Sequence, residues 1–178
     1  MKIHIIGGSG SGKTYLARLL SEKYNIPHYD LDDLFWDNTS GQYGTKNPPE
    51  KRDAMLKSIL QNEDWIIEGA YYAWLADSFE QADTIIVLDM PQMLYKSRII
   101  RRFVKRKLGL CEGKKETVKS LLDLLKWTEK FQTVNLKEIY KILDQYSNKT
   151  VILKSKREVN NYYRCEINGR NPICAVNR

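Results

Sequence analysis

The sequence has no long hydrophobic run, few cysteines and no low-complexity segment, and each shortage excludes a class of protein. The apolar run at the start of the chain ends at residue 6, too early for a signal-peptide core or a membrane span. Three cysteines in 178 residues are widely spaced and match neither a disulfide framework nor a metal-ligand pattern. We therefore expect a one-domain, soluble cytoplasmic protein with reduced structural thiols and no membrane partner.

Acidic residues are scarce in one part of the chain. Between residues 91 and 119, ten Lys or Arg accompany two Glu, a net charge of +8, whereas the whole chain carries +7. Such a segment predicts an anionic partner, either the phosphates of a nucleotide or a nucleic-acid backbone. No helix-turn-helix, zinc-finger or RNP signal accompanies it to favour nucleic acid. The oligomeric state is not indicated by any feature of the sequence.

Glycine is concentrated at residues 7–14, GGSGSGKT, between an apolar run and a helical pattern. The spacing matches G-x-x-x-x-G-K-[ST], with the strand before it and the helix after it that this motif requires. Backbone N–H groups of such a loop form an anion nest, its Lys reaches the β- and γ-phosphates, and its Thr hydroxyl ligates Mg²⁺. The alternative is a turn that only joins two elements. The predicted nucleotide-binding residues of this loop are Gly7, Gly8, Ser9, Gly10, Ser11, Gly12, Lys13 and Thr14.

Five apolar stretches alternate with helical patterns, which predicts a parallel sheet covered by helices. The predicted strands are residues 2–6, 26–31, 65–68, 84–89 and 150–154. The predicted helices run from the glycine-rich loop to residue 25, from 48 to 61, from 91 to 108, and as two further helices within 114–146. Residues 35–47 are expected to form a loop, and a short helix is expected to begin after residue 155.

Acidic side chains follow three of the predicted strands, at the edge where parallel sheets bind ligands. Asp32 could position or deprotonate an acceptor hydroxyl, or it could be a solvated turn or N-cap residue. If the strand continued, Asp30 and Asp32 would lie on the same side of it. Glu68 could bind a Mg²⁺-coordinated water, with Gly69 leaving room for a substrate. Asp89 could be a Walker B acid or a helix cap.

The basic segment begins with a helix whose cations recur at i, i+3, i+4 and i+7, and therefore on one face. These cations are Arg98, Arg101, Arg102 and Lys105. Arginines near a transferring phosphoryl group stabilise the charge that develops there, and a solvated basic face is the alternative. Phe35 and Trp36 directly follow the acids of the second strand and could stack on a base or another ring.

Together these segments resemble the bacterial DNA topology modulation proteins, which are P-loop proteins similar to adenylate, shikimate and other small-molecule kinases. The resemblance rests on the opening segment, on DLDDLFW, WIIEGAYY and ADTIIVLDMP, and on the late KILDQYSNKTVILKSKREVNNYY. It implies a three-layer α/β P-loop NTPase fold, with a five-stranded parallel sheet in the order 2-3-1-4-5 and a helical lid at approximately 104–132. The kinase-like domain would span residues 1–163, and residues 164–178 would form a C-terminal tail.

The resemblance also implies roles for individual residues. Asp32 matches the acid that follows the second strand, and Glu68 matches an Asp in the third strand's Asp-Gly pair, so that Glu replaces Asp at this position. Arg98 and Arg102 lie where such kinases carry phosphate-binding arginines. Arg157 lies where the adenine is usually bordered.

Two functional hypotheses follow from the sequence. In the first, the chain is an ATP- and Mg²⁺-dependent kinase that phosphorylates a small molecule, either a nucleoside, a nucleotide or a hydroxylated metabolite. In this hypothesis the catalytic residues are Lys13, Asp32, Arg98 and Arg102, and the metal is held by Thr14 and Glu68. In the second, the chain is a nucleotide-dependent DNA-binding protein or an ATPase without small-molecule kinase activity. The absence of a DNA-binding motif favours the first hypothesis.

Overall fold

A computed structural model of the chain describes residues 1–37, 44–110 and 117–167. Its centre is a parallel sheet of five strands in the order β2-β3-β1-β4-β5. The strands are β1 (Lys2–Gly7), β2 (His28–Asp30), β3 (Trp65–Gly69), β4 (Thr84–Leu88) and β5 (Thr150–Leu153). The predicted fold class and strand order are confirmed, and each strand begins within two residues of its predicted start.

Helices connect the strands along the described part of the chain. They are α1 (Lys13–Tyr24), α2 (Leu31–Phe35), α3 (Pro49–Leu60), α4 (Ala76–Gln81), α5 (Gln92–Lys107), α6 (Val118–Lys130), α7 (Leu136–Leu143) and α8 (Lys156–Ile167). A π-helical turn, Phe131–Asn135, joins α6 to α7, and a 3-10 helix, Asp144–Lys149, leads into β5. None of the helices in these residues is long and apolar enough to cross a membrane.

Local signals mark the helix ends, and those at Asn25, at the Pro48–Pro49 start and at Gly109 were predicted. Asn25 ends α1 in the left-handed conformation, with φ of 55°. A proline at the first turn of α3 has its φ already fixed for a helix. Gly109 follows α5 with φ of 66°, a conformation that costs other residues free energy. Thr117 and Ser120 form a reciprocal capping box at the start of α6.

The structure differs from the sequence predictions at three helices. α2 begins at Leu31, where the second strand was expected to continue, and α4 was not predicted. α8 was expected to be short, and it continues to Ile167. The domain boundary at residue 163 stays a prediction. The rest of the predicted tail, part of the expected loop at 35–47 and part of the lid segment lie outside the described residues.

Alternate residues of the strands pack on opposite faces of the sheet and create two cores. Ile5 packs with α1 and with Tyr162 of α8 on one face, whereas Ile6 packs with α3 and α7 on the other. Both isoleucines are fully buried, as expected for parallel strands covered on both faces. The sheet therefore lies between two helical layers, and the glycine-rich loop lies at its carboxyl edge.

His4 in β1 is a fully buried polar residue of the core. Its Nδ1 lies 2.7 Å from the hydroxyl of Ser78, which is also buried, and its ring packs against Phe79. Burial lowers the pKa of His4 from 6.5 to about 3, because the imidazolium would have to lose its hydration. The histidine is therefore neutral and structural.

Acidification should destabilise the fold through His4. Below pH 6.5 the unfolded chain protonates this imidazole and the native chain does not, so unfolding becomes more favourable until the pH nears 3. Between pH 7 and pH 5 the loss from this one group should be about 2 kcal/mol. Urea denaturation at both pH values should show this loss in wild type and in the control His28→Gln. His4→Gln should lack it, and an equal loss in all three proteins would contradict this prediction.

Candidate active site

The glycine-rich loop leads from β1 directly into α1. Gly10 and Gly12 have φ of 83° and 100°, in the region that glycine adopts at least cost. Gly12 is also the N-cap of α1, and no side chain caps this helix end. The N-terminal N–H groups of α1 therefore have no side-chain acceptor from the cap, which is the arrangement that suits an anionic ligand.

Three polar residues form a cluster at the start of α1. The Thr14 hydroxyl donates to Glu68 Oε1 at 2.6 Å, and the Lys13 ammonium lies 3.4 Å from Glu68 Oε2. Glu68 has no exposed surface, and its Oε2 has an ion-pair neighbour in Lys13 but no aligned hydrogen bond among the described residues. β3 holds Glu68 beside the loop because Ile5 and Glu68 are register partners in neighbouring strands.

The same cluster has the ligand chemistry of a Mg²⁺ site. A hydroxyl and a carboxylate are hard oxygen ligands, and the carboxylate has one buried oxygen that lacks a hydrogen-bond donor. The described residues contain no group of three His, Cys, Asp or Glu that could enclose a metal. One or two protein oxygens are what Mg²⁺ uses when phosphates and water complete its shell, so Thr14 and Glu68 fit this ion.

The acids after β2 take different positions from those expected of a continuing strand. Asp30 is the N-cap of α2 and accepts a hydrogen bond from the backbone N–H of Asp32 at 2.9 Å. The Asp32 carboxylate accepts from the Tyr71 hydroxyl at 2.7 Å. Burial, and secondly the charge of Glu68, raises the pKa of Asp30 to about 7, so this carboxyl is only partly ionised near neutral pH.

Asp30 should make the fold less stable at alkaline pH. Its native pKa of about 7 exceeds the unfolded value of 3.8, so the stability it contributes is complete below pH 3.8 and is lost as the pH rises through 7. At pH 8 Asp30→Asn should therefore stabilise the protein by about 1 to 2 kcal/mol, since asparagine can still cap α2. Chemical denaturation at pH 5 and pH 8 measures the effect. A gain equal to that of the exposed control Asp33→Asn would contradict it.

The arginines of α5 divide between the site and the solvent. Arg98 donates from Nη1 to the backbone carbonyls of Gly10 and Ser11, at 2.9 and 2.7 Å, so it ties α5 to the glycine-rich loop. Burial lowers the pKa of this guanidinium from its ordinary value. The face of α5 that lines the cleft carries Arg98, Arg102 and Arg106.

Two of the four cations predicted to share one face of α5 follow the alternative of a solvated basic face. Arg101 and Lys105 are exposed and do not line the cleft. Arg106 does line it, and the sequence prediction missed this residue. Its i+4 and i+8 spacing from Arg102 and Arg98 was the available signal.

The loop, the acids and the arginines open onto one cleft of about 1210 Å³ at the carboxyl edge of the sheet. Tyr71 and Lys46 line it, as does Trp127 of α6, and the sequence prediction singled out none of the three for the site. For Tyr71 the available sequence signal was its position after a strand, and for Lys46 it was the position before a helix. The remaining lining residues are Ser9, Gly10, Gly12, Lys13, Thr14, Tyr15, Asp30, Asp32, Phe35, Trp36, Ala70, Arg98, Ile99, Arg102, Arg106 and Leu124.

A second cavity of about 160 Å³ lies on the β4 side of the glycine-rich loop. It is lined by Ser11, Gly12, Tyr15, Leu88, Met90, Arg98, Lys156, Val159 and Asn160. Arg157, predicted to border the adenine, is exposed near the start of α8 and does not line this cavity. The neighbouring Lys156 does.

Gly69 and Asp89 both have contacts within the fold, and a Walker B role for Asp89 stays a prediction. A Cβ on Gly69 would come within 2.7 Å of Leu31 Cδ1, so this glycine makes room for Leu31 and not for a substrate. Asp89 accepts a hydrogen bond from the Tyr140 hydroxyl at 2.7 Å and does not cap α5. Burial, and secondly this contact, raises the pKa of Tyr140 well above its ordinary value.

Gly69→Ala should destabilise the fold because the added Cβ would lie 2.7 Å from Cδ1 and 2.8 Å from Cβ of the completely buried Leu31. The expected cost is about 1 to 3 kcal/mol, as for other overpacked cores. A double-mutant cycle with Leu31→Ala, followed by urea denaturation, tests the assignment. The double variant should be more stable than the sum of the single effects predicts, whereas additive effects would exclude the clash.

The chain is similar in sequence to adenylate kinases and to an uncharacterized protein. It is 31% identical to YqaC of Bacillus subtilis over 104 residues, which cover 58% of this chain and 57% of that protein. It is 26% identical to the adenylate kinases of Clostridium tetani and Clostridium beijerinckii, over 89% and 96% of this chain and 94% and 100% of theirs. No protein-family model matches the chain.

Solved structures extend the likeness to the fold. Shikimate kinase from Aquifex aeolicus superimposes with a TM-score of 0.50 and 20% identity, over 95% of this chain and 97% of the other. Shikimate kinase from Bacteroides thetaiotaomicron gives 0.52 and 15%, over 95% and 98%. The chain has the P-loop kinase fold. These relatives carry other names than topology modulation protein, so membership in that family stays a prediction.

Proposed function

We propose that this chain is a kinase that transfers the γ-phosphoryl group of ATP to a hydroxyl of a small molecule. The observation that carries the proposal is that an uncapped phosphate loop and the acid Asp32 open onto one cleft. The cleft continues past the phosphate loop to this acid, which leaves room for a second substrate that a protein binding only nucleotide would not need. The adenylate kinase relatives support the same reaction class.

In this proposal ATP lies along the glycine-rich loop, with its phosphates on the N–H groups at the start of α1 and on Lys13. The base lies on the β4 side, in the smaller cavity between the loop and α8. Arg157 would then contact the base of ATP from the rim of that cavity, and Lys156 would contact it from the wall. Mg²⁺ held by Thr14 and Glu68 would neutralise charge on the phosphates.

The remaining charged residues have separate roles in the proposal. Asp32, oriented by the Tyr71 hydroxyl, positions the acceptor hydroxyl and accepts its proton. Arg102 faces the cleft and stabilises the transferring phosphoryl group. Arg98 positions the loop through its two carbonyl contacts. The segment 104–132 is the proposed lid over the cleft, within a domain of residues 1–163, and residues 164–178 are the proposed tail.

A transfer assay tests the proposal. Purified protein is incubated with Mg²⁺, γ-labelled ATP and a panel of nucleosides, nucleotides and hydroxylated metabolites, and labelled products are separated from ATP and phosphate. The wild type should label at least one acceptor, and Lys13→Met should label none. Label that appears only as inorganic phosphate, at equal rates with and without acceptors, would contradict kinase activity.

DNA binding stays an untested alternative. The exposed cations Arg101, Lys105 and Lys107 on α5 favour it, but Ile100 and Val104 on this helix and Leu108 directly after it are also exposed. Apolar side chains gain little from a phosphate backbone. Binding to duplex DNA that falls steeply with salt and changes with bound nucleotide would support this alternative.

A further inference from the structure

The sheet order divides the cleft into two sides. β2 and β3 lie on one side of β1, and they lead into Asp32, Trp36 and Tyr71. β4 lies on the other side of β1 and leads into α5 with its arginines. Under the proposed function, on which this inference rests, the base of ATP occupies the β4 side. The β2 and β3 side is therefore the acceptor side.

The acceptor side has an aromatic wall. Phe35 and Tyr71 are stacked, with ring centroids 4.6 Å apart and an angle of 28° between the rings. Trp36 meets Phe35 edge-on, at 4.9 Å and 86°. All three rings line the cleft, and Trp127 lines it from α6. A flat ring that enters this side finds aromatic faces to stack on, whereas a ring-free polyol makes no use of them.

The aromatic wall is hydrogen-bonded to Asp32, the candidate general base. The hydroxyl of Tyr71, whose ring stacks on Phe35, donates to Asp32 at 2.7 Å. The wall therefore fixes the carboxylate relative to any ring bound against it. An acceptor with a hydroxyl on a short arm beside a flat ring satisfies both parts.

The charge of the acceptor side argues against a phosphorylated acceptor. Among the described residues of the lining, β2 and the segments that follow it contribute the acids Asp30 and Asp32 and the cation Lys46. The other cations of the lining, Lys13, Arg98, Arg102 and Arg106, come from α1 and α5. Arg52, also near this side, packs on the ring of Trp74, is paired with Asp53 and does not line the cleft. A phosphate dianion held on this side would lie beside the Asp32 carboxylate, and close like charges repel. An uncharged ring compound meets no such penalty.

We propose that the acceptor is an aromatic or heteroaromatic alcohol without a phosphate group, of the nucleoside class, and neither a nucleoside monophosphate nor a ring-free polyol. Its hydroxyl oxygen forms a bond to the γ-phosphorus of ATP as the bond from that phosphorus to the bridging oxygen breaks. ADP leaves with the electrons of the broken bond, and the hydroxyl proton passes to the Asp32 carboxylate. Trp36 supplies the stacking face for the ring.

Paired acceptors test this proposal. The probes are adenosine with AMP, uridine with UMP, and glycerol and myo-inositol as alcohols without an aromatic ring. Binding is followed by ligand-detected NMR in the presence of Mg²⁺ and a non-hydrolysable ATP analogue, and transfer is followed with labelled ATP. At least one nucleoside should bind at least tenfold more tightly than its monophosphate and than either polyol. Trp36→Leu should raise its KM about tenfold or more, whereas Trp36→Phe should stay within about threefold of wild type.

The outcomes separate this proposal from the kinase proposal. Preference for a monophosphate or a polyol, absence of binding by any nucleoside, or an unchanged KM in Trp36→Leu overturns the aromatic acceptor. In each of these cases transfer to a polyol or monophosphate would leave the kinase proposal standing. Failure to bind the ATP analogue overturns the kinase proposal itself. The affinity of Trp36→Leu for the ATP analogue serves as the control for folding and should equal that of wild type.

Discussion

Replacing Asp32 with asparagine should lower kcat for phosphoryl transfer by about 10²- to 10⁴-fold, the range expected for loss of a general base. The substitution keeps the size of the side chain and its ability to accept from the Tyr71 hydroxyl, so the geometry of the wall should persist. The acceptor proton would have no carboxylate to receive it. Initial rates with saturating Mg·ATP and acceptor measure the effect.

Asp33→Asn is the matched control because Asp33 lies on the same short helix, is exposed and does not line the cleft. Its kcat should stay within about twofold of wild type, as expected for a substitution away from the site. The kcat of Tyr71→Phe should lie between those of Asp32→Asn and Asp33→Asn, since this variant keeps the ring and removes only the hydrogen bond. Equal rates for Asp32→Asn and Asp33→Asn would exclude Asp32 from catalysis.

Substitutions in the Lys13 and Glu68 pair should change the free energy of unfolding and the nucleotide affinity separately. Lys13→Met leaves the buried Glu68 carboxylate without its cation, so it should cost about 2 to 4 kcal/mol of unfolding free energy. It should also weaken Mg·ATP binding about 10- to 100-fold, because a charged hydrogen bond to phosphate is lost. Urea denaturation and calorimetry of the same preparations measure both quantities.

The double variant Lys13→Met/Glu68→Gln makes this test specific. With the buried charge removed, the amide can still accept from the Thr14 hydroxyl, and the double variant should regain most of the lost stability. Its nucleotide affinity should stay low, since the lysine is still absent. Recovery of both stability and affinity would mean that Lys13 acts only as a partner for Glu68.

Local sequence patterns were enough to predict much of this fold. The strands and the first helix could be predicted because apolar periodicity, the glycine-rich loop and the stop at Asn25 are encoded by neighbouring residues. The strand order came from the resemblance to P-loop kinases and not from periodicity, which does not specify which strands are neighbours. The short helix α2 was missed because its N-cap, Asp30, also fits the end of a strand.

The site was less predictable because its contacts join residues far apart in the sequence. Arg98 was expected to bind phosphate, yet its two contacts are to loop carbonyls near the start of the chain. The bond from Tyr71 to Asp32 depends on how β2 and β3 end side by side, which is a tertiary property. Which arginines of α5 enter the cleft depends on the rotation of that helix against β4.

Isothermal titration calorimetry of the wild-type protein with ATP and Mg²⁺ is the most direct test of the central claim, that the start of α1 binds a nucleoside triphosphate. Saturable binding of one ATP per chain, with a Kd below about 1 mM and much weaker binding by Lys13→Met, is the predicted result. The absence of heat from binding by folded wild-type protein, at concentrations that would detect millimolar affinity, would contradict it.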